Sequence, residues 1–206
     1  MPCSWCGDRI LRNGARGPSA RYCSTRCRVA AHRDRKRLPA ELVAEDRWVR
    51  RDGKRPITPS GNPASSTDSA TWSPLAAADA PGARGDGLGF VLNGDGIACI
   101  DIDHCVRPDG SLEPWATRLV RRVPKTWIEV SPSGTGLHVW GIATVGTGRH
   151  VKLPGGGQVE VYDRSRYITV TRRPFGRCPR VLADLAEVVD ELLASPVSLR
   201  CGRKTA

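Results

Sequence analysis

From residue 87 onward the chain breaks into short apolar or alternating runs separated by polar punctuation. The runs read "GLGFVL" (87–92), "GIACIDID" (96–103), "TWIEVS" (126–131), "GLHVWGIA" (136–143), "QVEVYD" (158–163) and "RYITVT" (166–171). Each has the length of a strand and is apolar or alternating, so the pattern predicts strands. Two longer segments carry a helical period. "SLEPWATRLVRRV" (111–123) predicts a helix between two of the strands. "RVLADLAEVVDELLA" (180–194) predicts a closing helix with Val181, Leu182, Leu185, Val188, Val189, Leu192 and Leu193 on its inner face.

Upstream, "RWVRRDGKRPITP" (47–59) sets Asp52-Gly53 between two extended runs, which signals a hairpin. Residues 60–72 are polar and loop-like. "SPLAAADA" (73–80) starts with Ser73 as a cap and Pro74 at the favoured first helical position. Strands joined by hairpins, with helices between and after them, predict an α+β or mixed α/β domain over residues 46–195. Residues 38–45 read as a linker and 196–206 as a frayed basic tail.

The first 37 residues follow neither period. Their cysteines, Cys3, Cys6, Cys23 and Cys27, are spaced C-x2-C-x16-C-x3-C. Two such pairs can close a tetrahedron around Zn²⁺. Asn13-Gly14 suits a short hairpin between the pairs, and helix formers follow the second pair. Knuckle, hairpin and helix give a treble-clef-like order, and with so few apolar residues the metal would drive folding. Four cysteines suffice, so His32 reads as an exposed helix residue.

Charge sharpens this division. The chain's formal charge is +11, and residues 1–37 hold ten Lys/Arg against two Asp/Glu. A basic module of this kind points to nucleic acid. Arg28, Arg33, Arg35, Lys36 and Arg37 on the expected helix suit salt-sensitive phosphate contact rather than base readout. No apolar run reaches bilayer length and no leader pattern opens the chain, so a soluble, unexported, cytoplasmic protein is expected. The eight cysteines do not form an even disulfide framework. Cys99 reads as a small buried hydrophobe, and Cys105, Cys178 and Cys201 carry no spacing signal.

In "GIACIDID" side-chain alternation sends Ile100 and Ile102 to the core and leaves Asp101 and Asp103 together on the other face. Two neighbouring carboxylates repel, and burial makes this worse. A divalent cation with a taste for oxygen, Mg²⁺ or Mn²⁺, removes the conflict. Glu160 in "QVEVYD" is the third candidate acid. Asp163, nearer the turn, reads as structural, and Glu129 stands equally well as a ligand or as half of a cross-strand pair. The "SPSGTG" turn lets backbone approach a phosphate, and His138 follows it on a strand.

These motifs carry a resemblance. Residues 46–175 resemble the primase–polymerase (prim-pol) domain of the archaeo-eukaryotic primase superfamily, in its phage and plasmid replication form. "CIDIDH", "SGTGLH" and "VEVYDRSRY" match its three motifs in order, and "GKRPITPSGNPASSTDSATWSPLAAA" and "GLGFVLN" are similar to phage members. The resemblance implies an RNA-recognition-like core beside a second small α/β unit. It implies a DNA primase and polymerase working by two-metal nucleotidyl transfer, with Asp101, Asp103 and Glu160 on the cations. Ser133 and His138 would contact the incoming NTP or dNTP. Arg164 and Arg166 flank the third acid, where one could neutralise phosphate, and Lys54 and Lys152 could reach it as well. Single-stranded DNA is then the template, and a separate helicase the expected partner. Two other readings compete: a non-catalytic zinc-dependent DNA-binding regulator and a metal-dependent nuclease. Against the nuclease, the third-acid strand reads Glu-Val-Tyr, with no lysine at the Glu-x-Lys place; filled metal-acid positions argue against the regulator.

Overall fold

The computed structural model describes residues 2–3, 6–10, 20–35, 37–194 and 198–200, with the backbone alone at 31–35 and 198–200. It divides into two compact units, residues 1–37 and 38–206. The elements in chain order are α1 (Thr25–Arg35), α2 (Ala40–Val43), β1 (Trp48–Asp52), β2 (Arg55–Ile57), α3 (Leu75–Ala78), β3 (Gly87–Asn93), β4 (Ile97–Ile102), α4 (Pro114–Arg122), β5 (Ile128–Val130), β6 (Leu137–Ile142), β7 (Arg149–Lys152), β8 (Gln158–Tyr162), β9 (Arg164–Val170), β10 (Ala183–Asp184), α5 (Ala186–Ala194) and β11 (Ser198–Arg200). No helix among the described residues is long and apolar enough to cross a membrane.

The larger unit is α+β. One four-stranded sheet runs β2-β1-β3-β9, and one seven-stranded sheet runs β10-β6-β4-β8-β7-β11, with β5 also paired to β6. Pairing is antiparallel except between β10 and β6. Strand alternation on β4 sorts its residues between two cores. Ala98, Ile100 and Ile102 join Leu137, Val139, Val159 and Val161 in one core, covered by Ala116 and Leu119 of α4 and by Val188, Val189 and Leu192 of α5. Ile97 and Cys99 face the other way, with Trp140 and Tyr162, and pack against Trp48, Phe90, Leu92, Ile168 and Val170 of the four-stranded sheet. Trp48, Phe90 and Trp140 meet edge-to-face at centroid separations of 5.1 and 5.9 Å. At about 25 cal/mol per Å² of apolar burial, these three rings dominate the second core.

Several expectations change. Residues 38–45 are not a linker: Leu38 and Leu42 are buried with Trp48, and the indole of Trp48 donates to the carbonyl of Leu42 at 3.2 Å. The closing helix starts at Ala186 rather than at 180, because Ala183 and Asp184 pair with the exposed side of β6 and Val181 lies at the surface. Asp184 then accepts from the amide of Ala186 at 2.8 Å. Ser73 does not cap α3: its hydroxyl donates to the carbonyl of Trp48. Ser198–Arg200, read as part of a frayed tail, pair with β7 and cover its edge. The Asn13-Gly14 hairpin and Cys201 lie outside the described residues.

Candidate active site

Strand register builds the site. On β4, Asp101 is paired with His138 of β6 on one side and with Glu160 of β8 on the other. His138 is paired in turn with Glu129 of β5, and Glu160 with His150 of β7. Directly paired residues point to the same face. Five strands therefore lay Glu129, His138, Asp101, Glu160 and His150 in one transverse row. The row sits between the apolar floor of Cys99, Trp140 and Tyr162 and the open end of the sheet, where Asp103 lies just beyond β4 and is exposed.

The contacts along the row are specific. His138 Nε2 lies 3.7 Å from Asp101 Oδ1, and Nδ1 lies 3.4 Å from Glu129 Oε1. Glu160 is held from three sides: by His150 Nδ1 at 2.9 Å, by the hydroxyl of Tyr162 at 2.6 Å, and by Arg166 Nη2 at 3.5 Å. The guanidinium of Arg166 also stacks over Tyr162, 4.7 Å from the ring centroid.

Electrostatics follow from this packing. Burial is the main force that pushes the pKa of Asp101 up to about 6; His138 pulls it back, while Asp103 and Glu160 push it further up. Burial also works against charge on His138, but its hydrogen bond to Glu129 and the field of Asp101 prevail, and its pKa ends above the usual imidazole value. Asp101 thus carries an unrelieved carboxylate conflict, and an oxygen-seeking divalent cation shared with Asp103 and Glu160 fits that donor set. Among the described residues the four cysteines of the N-terminal unit are gathered closely enough to hold an ion, and the three acids are not so gathered.

The turn beside Asp103 is tightly tied. Ser133 Oγ lies 3.0 Å from both Ser131 Oγ and Thr135 Oγ1 and is exposed. Gly134 has φ +83°, and a Cβ on Gly136 would meet the carbonyl of Ile102 at 2.8 Å, so both places require glycine. The turn is thereby pressed against the end of β4.

Not every expected residue reaches the row. The guanidinium of Arg164 makes two 3.1 Å bonds to Asp163, beyond an irregularity in the β3–β9 pairing, which leaves Arg166 as the flanking cation on Glu160. Asp163 is buried and also accepts from the amide of Val145 at 3.0 Å, a structural role as expected. Lys54 lies in the β1–β2 turn, where its carbonyl accepts from Tyr167. Lys152, two residues from His150 on β7, shares the face of the row at its outer edge. His150 was not anticipated. The alternation His150-Val151-Lys152 before "PGGG" is the hairpin signal that could have found it. Cys99 is fully buried as expected, and so is Cys105, whose thiol burial pushes up to about 12.

In the N-terminal unit the ligand atoms of Cys3, Cys6, Cys23 and Cys27 all lie within 4.8 Å of one another. Cys6–Cys23, Cys23–Cys27 and Cys27–Cys6 sulfur separations are 3.5, 3.4 and 3.7 Å. A tetrahedral Zn²⁺ with Zn–S bonds near 2.3 Å needs edges of about 3.8 Å, so the quartet fits zinc. The knuckle closes through the amide of Gly7 on the carbonyl of Cys3, and Ser24 caps α1 by accepting from the amide of Cys27 at 3.2 Å. The neighbouring Cys27 sulfur raises the pKa of Cys23, a conflict that a metal relieves. Arg28 is exposed on α1 and Arg37 is exposed just after it; the side chains of His32, Arg33, Arg35 and Lys36 lie outside the described residues.

No family model matches the chain. Its sequence is 35% identical over 175 residues to the DNA primase-polymerase of Nitratiruptor phage NrS-1, an alignment covering 74% of this chain and 24% of the phage protein. The chain thus spans about a quarter of the length of that curated relative. Set beside the ordered motifs and the row they build, that identity supports a prim-pol domain in this chain, similar to that of the phage primase-polymerase.

Proposed function

We propose that this chain performs template-directed nucleotidyl transfer, making and extending primers on single-stranded DNA during phage or plasmid replication. The observation that carries the reading is the register that pairs Asp101 with both Glu160 and His138, bringing three separated motifs onto one sheet face. The likeness to a phage DNA primase-polymerase supports it.

Asp101, Asp103 and Glu160 are the residues to hold Mg²⁺ or Mn²⁺. Bound there, the cations would acidify the attacking 3′-hydroxyl and neutralise the departing pyrophosphate. In the reaction the 3′-oxygen forms a bond to the α-phosphorus of an NTP or dNTP, and the bond to pyrophosphate breaks. Ser133, exposed on its glycine-rich turn, and His138 would bind the triphosphate. Arg166 lies where it can exchange Glu160 for phosphate charge, a substitution that favours its planar, bidentate donors. The apolar floor of Cys99, Trp140 and Tyr162 keeps water from the inner side of the row.

In the N-terminal unit Cys3, Cys6, Cys23 and Cys27 would hold a structural Zn²⁺. Arg28, Arg33, Arg35, Lys36 and Arg37 would contact template phosphates. A separate replicative helicase and residence in the host cytoplasm complete the proposal.

The test is incubation with single-stranded template, labelled NTPs or dNTPs, and Mg²⁺ or Mn²⁺. Wild type is expected to yield labelled oligonucleotide, and Asp101→Ala/Asp103→Ala none, with its near-UV circular dichroism unchanged. Absence of product from wild type overturns the activity; product persisting in the double variant overturns the site.

A further inference from the structure

Glu129 is fully buried beside the row, and the chemistry proposed above gives it no task. Its oxygens are both engaged. Oε1 lies 3.4 Å from His138 Nδ1 and accepts from the indole of Trp140 at 3.3 Å. Oε2 accepts from the amides of Thr171 and Arg172 at 3.0 and 2.9 Å, and the hydroxyl of Thr171 lies 3.2 Å away. Arg172 takes φ 55° in this segment, a left-handed conformation uncommon for a residue with a Cβ. A side chain engaged from β6 and from the 171–172 segment has no lone pair turned to the open face. The ligand role left open by the sequence is therefore closed to it.

What remains is its effect on the imidazole. The indole and amides that meet Glu129 are all donors, so its oxygens act as acceptors and the ring nitrogen facing Oε1 supplies the proton of that contact. With Nδ1 committed in this way, Nε2 is the nitrogen on the side of Asp101, 3.7 Å away. The same segment ties down the neighbouring turn. Thr171 Oγ1 donates to the carbonyl of Val130 at 2.6 Å, and Arg173 donates to the carbonyl of Ser131. One short strap thus fixes Glu129 and the base of the Ser133 turn together.

We propose that Glu129 is the positioning residue of His138: by accepting from Nδ1 it fixes the plane of the ring and turns Nε2 toward Asp101 and the incoming triphosphate. The kinetic consequence rests on the nucleotidyl-transfer reading; the ring geometry does not. Carboxylates that orient a functional imidazole in this way typically cost roughly 10- to 100-fold in activity when replaced.

The full-length protein is compared as wild type, Glu129→Gln, Thr171→Ala and His138→Ala. Thr171→Ala removes a hydroxyl that donates to Val130 beside Glu129 while leaving the Glu129–His138 contact, so it is the control for lost packing. Long-range ¹H–¹⁵N correlation spectra report which ring nitrogen is protonated, with the His138 signals identified by their loss in His138→Ala. Nδ1 of His138 is expected to be protonated in wild type and Thr171→Ala, and Glu129→Gln is expected to shift the ring to the other tautomer or a mixture. In primer extension, kcat/KM for the nucleotide should fall roughly 10- to 100-fold in Glu129→Gln, with template affinity unchanged and a smaller loss in Thr171→Ala. An unchanged His138 pattern in Glu129→Gln overturns the proposal, as does equal loss of activity in Glu129→Gln and Thr171→Ala. If wild type makes no product, the nucleotidyl-transfer reading falls, while the ring spectra still decide the role of Glu129.

Discussion

The chain gathers metal-loving side chains in two places by opposite means. In the N-terminal unit four cysteines within 25 residues of one another converge on local turns, and among its described residues Cys3 is the one buried hydrophobic side chain. In the larger unit Glu129, His138, Asp101, Glu160 and His150 come from five strands, and two apolar cores hold the sheet that aligns them. The first cluster makes its scaffold; the second is made by its scaffold. Removing the ligand should therefore destroy one and leave the other standing.

The largest effect expected is on that contrast itself. Stripping the metal with a chelator, or replacing Cys23 and Cys27 by serine, should unfold residues 1–37, because zinc supplies about 10 kcal/mol or more in small cysteine-ligated units. Amide NMR signals of residues 20–35 should move to random-coil positions while those of 38–194 stay. Collapse of both sets would break the comparison.

The converse test strikes the scaffold. Ile100 is fully buried directly behind the acid row, with Val139 and Val161 as its cross-strand neighbours. Ile100→Ala should cost about 2–5 kcal/mol through lost transfer energy and a residual cavity. Urea unfolding of the larger unit should show that loss, with the zinc content of the purified protein unchanged.

These two regions also differed in how readily they could be read. The cysteine spacing is a local signal, and so is the alternation that separates Ile100 and Ile102 from Asp101 and Asp103. Asp101, Glu160 and His138 were identifiable by residue type and strand pattern. Their adjacency was not, because register between strands separated by many residues depends on which cores close. His150 escaped notice because β7 has four residues and only Val151 among them is a core side chain. Arg164 and Arg166 were equivalent as cations flanking Glu160, because the pairing irregularity near Ser165, whose φ is 53°, leaves no local sequence signal. Leu38 and Leu42 gave too short a pattern to reveal the pocket beneath Trp48. Glu129 was ambiguous from sequence because only the 171–172 segment shows where its second oxygen is spent.

A smaller effect should come from pH acting on the row. Asp101 has its folded pKa raised to about 6, mainly by burial. The folded state therefore binds this proton more tightly than the unfolded state. The sign follows: the favourable contribution is fully present below pH about 4 and is lost as pH rises through about 6. The span is at most about 3 kcal/mol, less whatever solvent screening removes at the open side of the carboxylate. Without added Mg²⁺ or Mn²⁺, urea unfolding between pH 4 and 8 should show this decline in wild type. Asp101→Asn should flatten it and be the more stable protein at pH 8. Adding Mn²⁺ should restore stability to wild type alone, since the variant lacks the charge that a cation would relieve. A wild-type slope that survives in Asp101→Asn would assign the decline to another group.

The smallest effect separates the two regions by what they bind. Arg28 projects from α1 into solvent and makes no ion pair with a described acid. One phosphate contact to single-stranded DNA contributes a slope of roughly 0.7 in log affinity against log salt. Arg28→Ala should flatten the salt dependence of template binding by about that amount and weaken binding alike for every template sequence. Fluorescence anisotropy across a salt series measures both. Asp101→Asn should leave the slope unchanged, because it alters the reaction face and not the basic helix. If instead Asp101→Asn changes the slope and Arg28→Ala does not, the template lies along the acid row, and the basic helix serves only to carry the cysteine cluster.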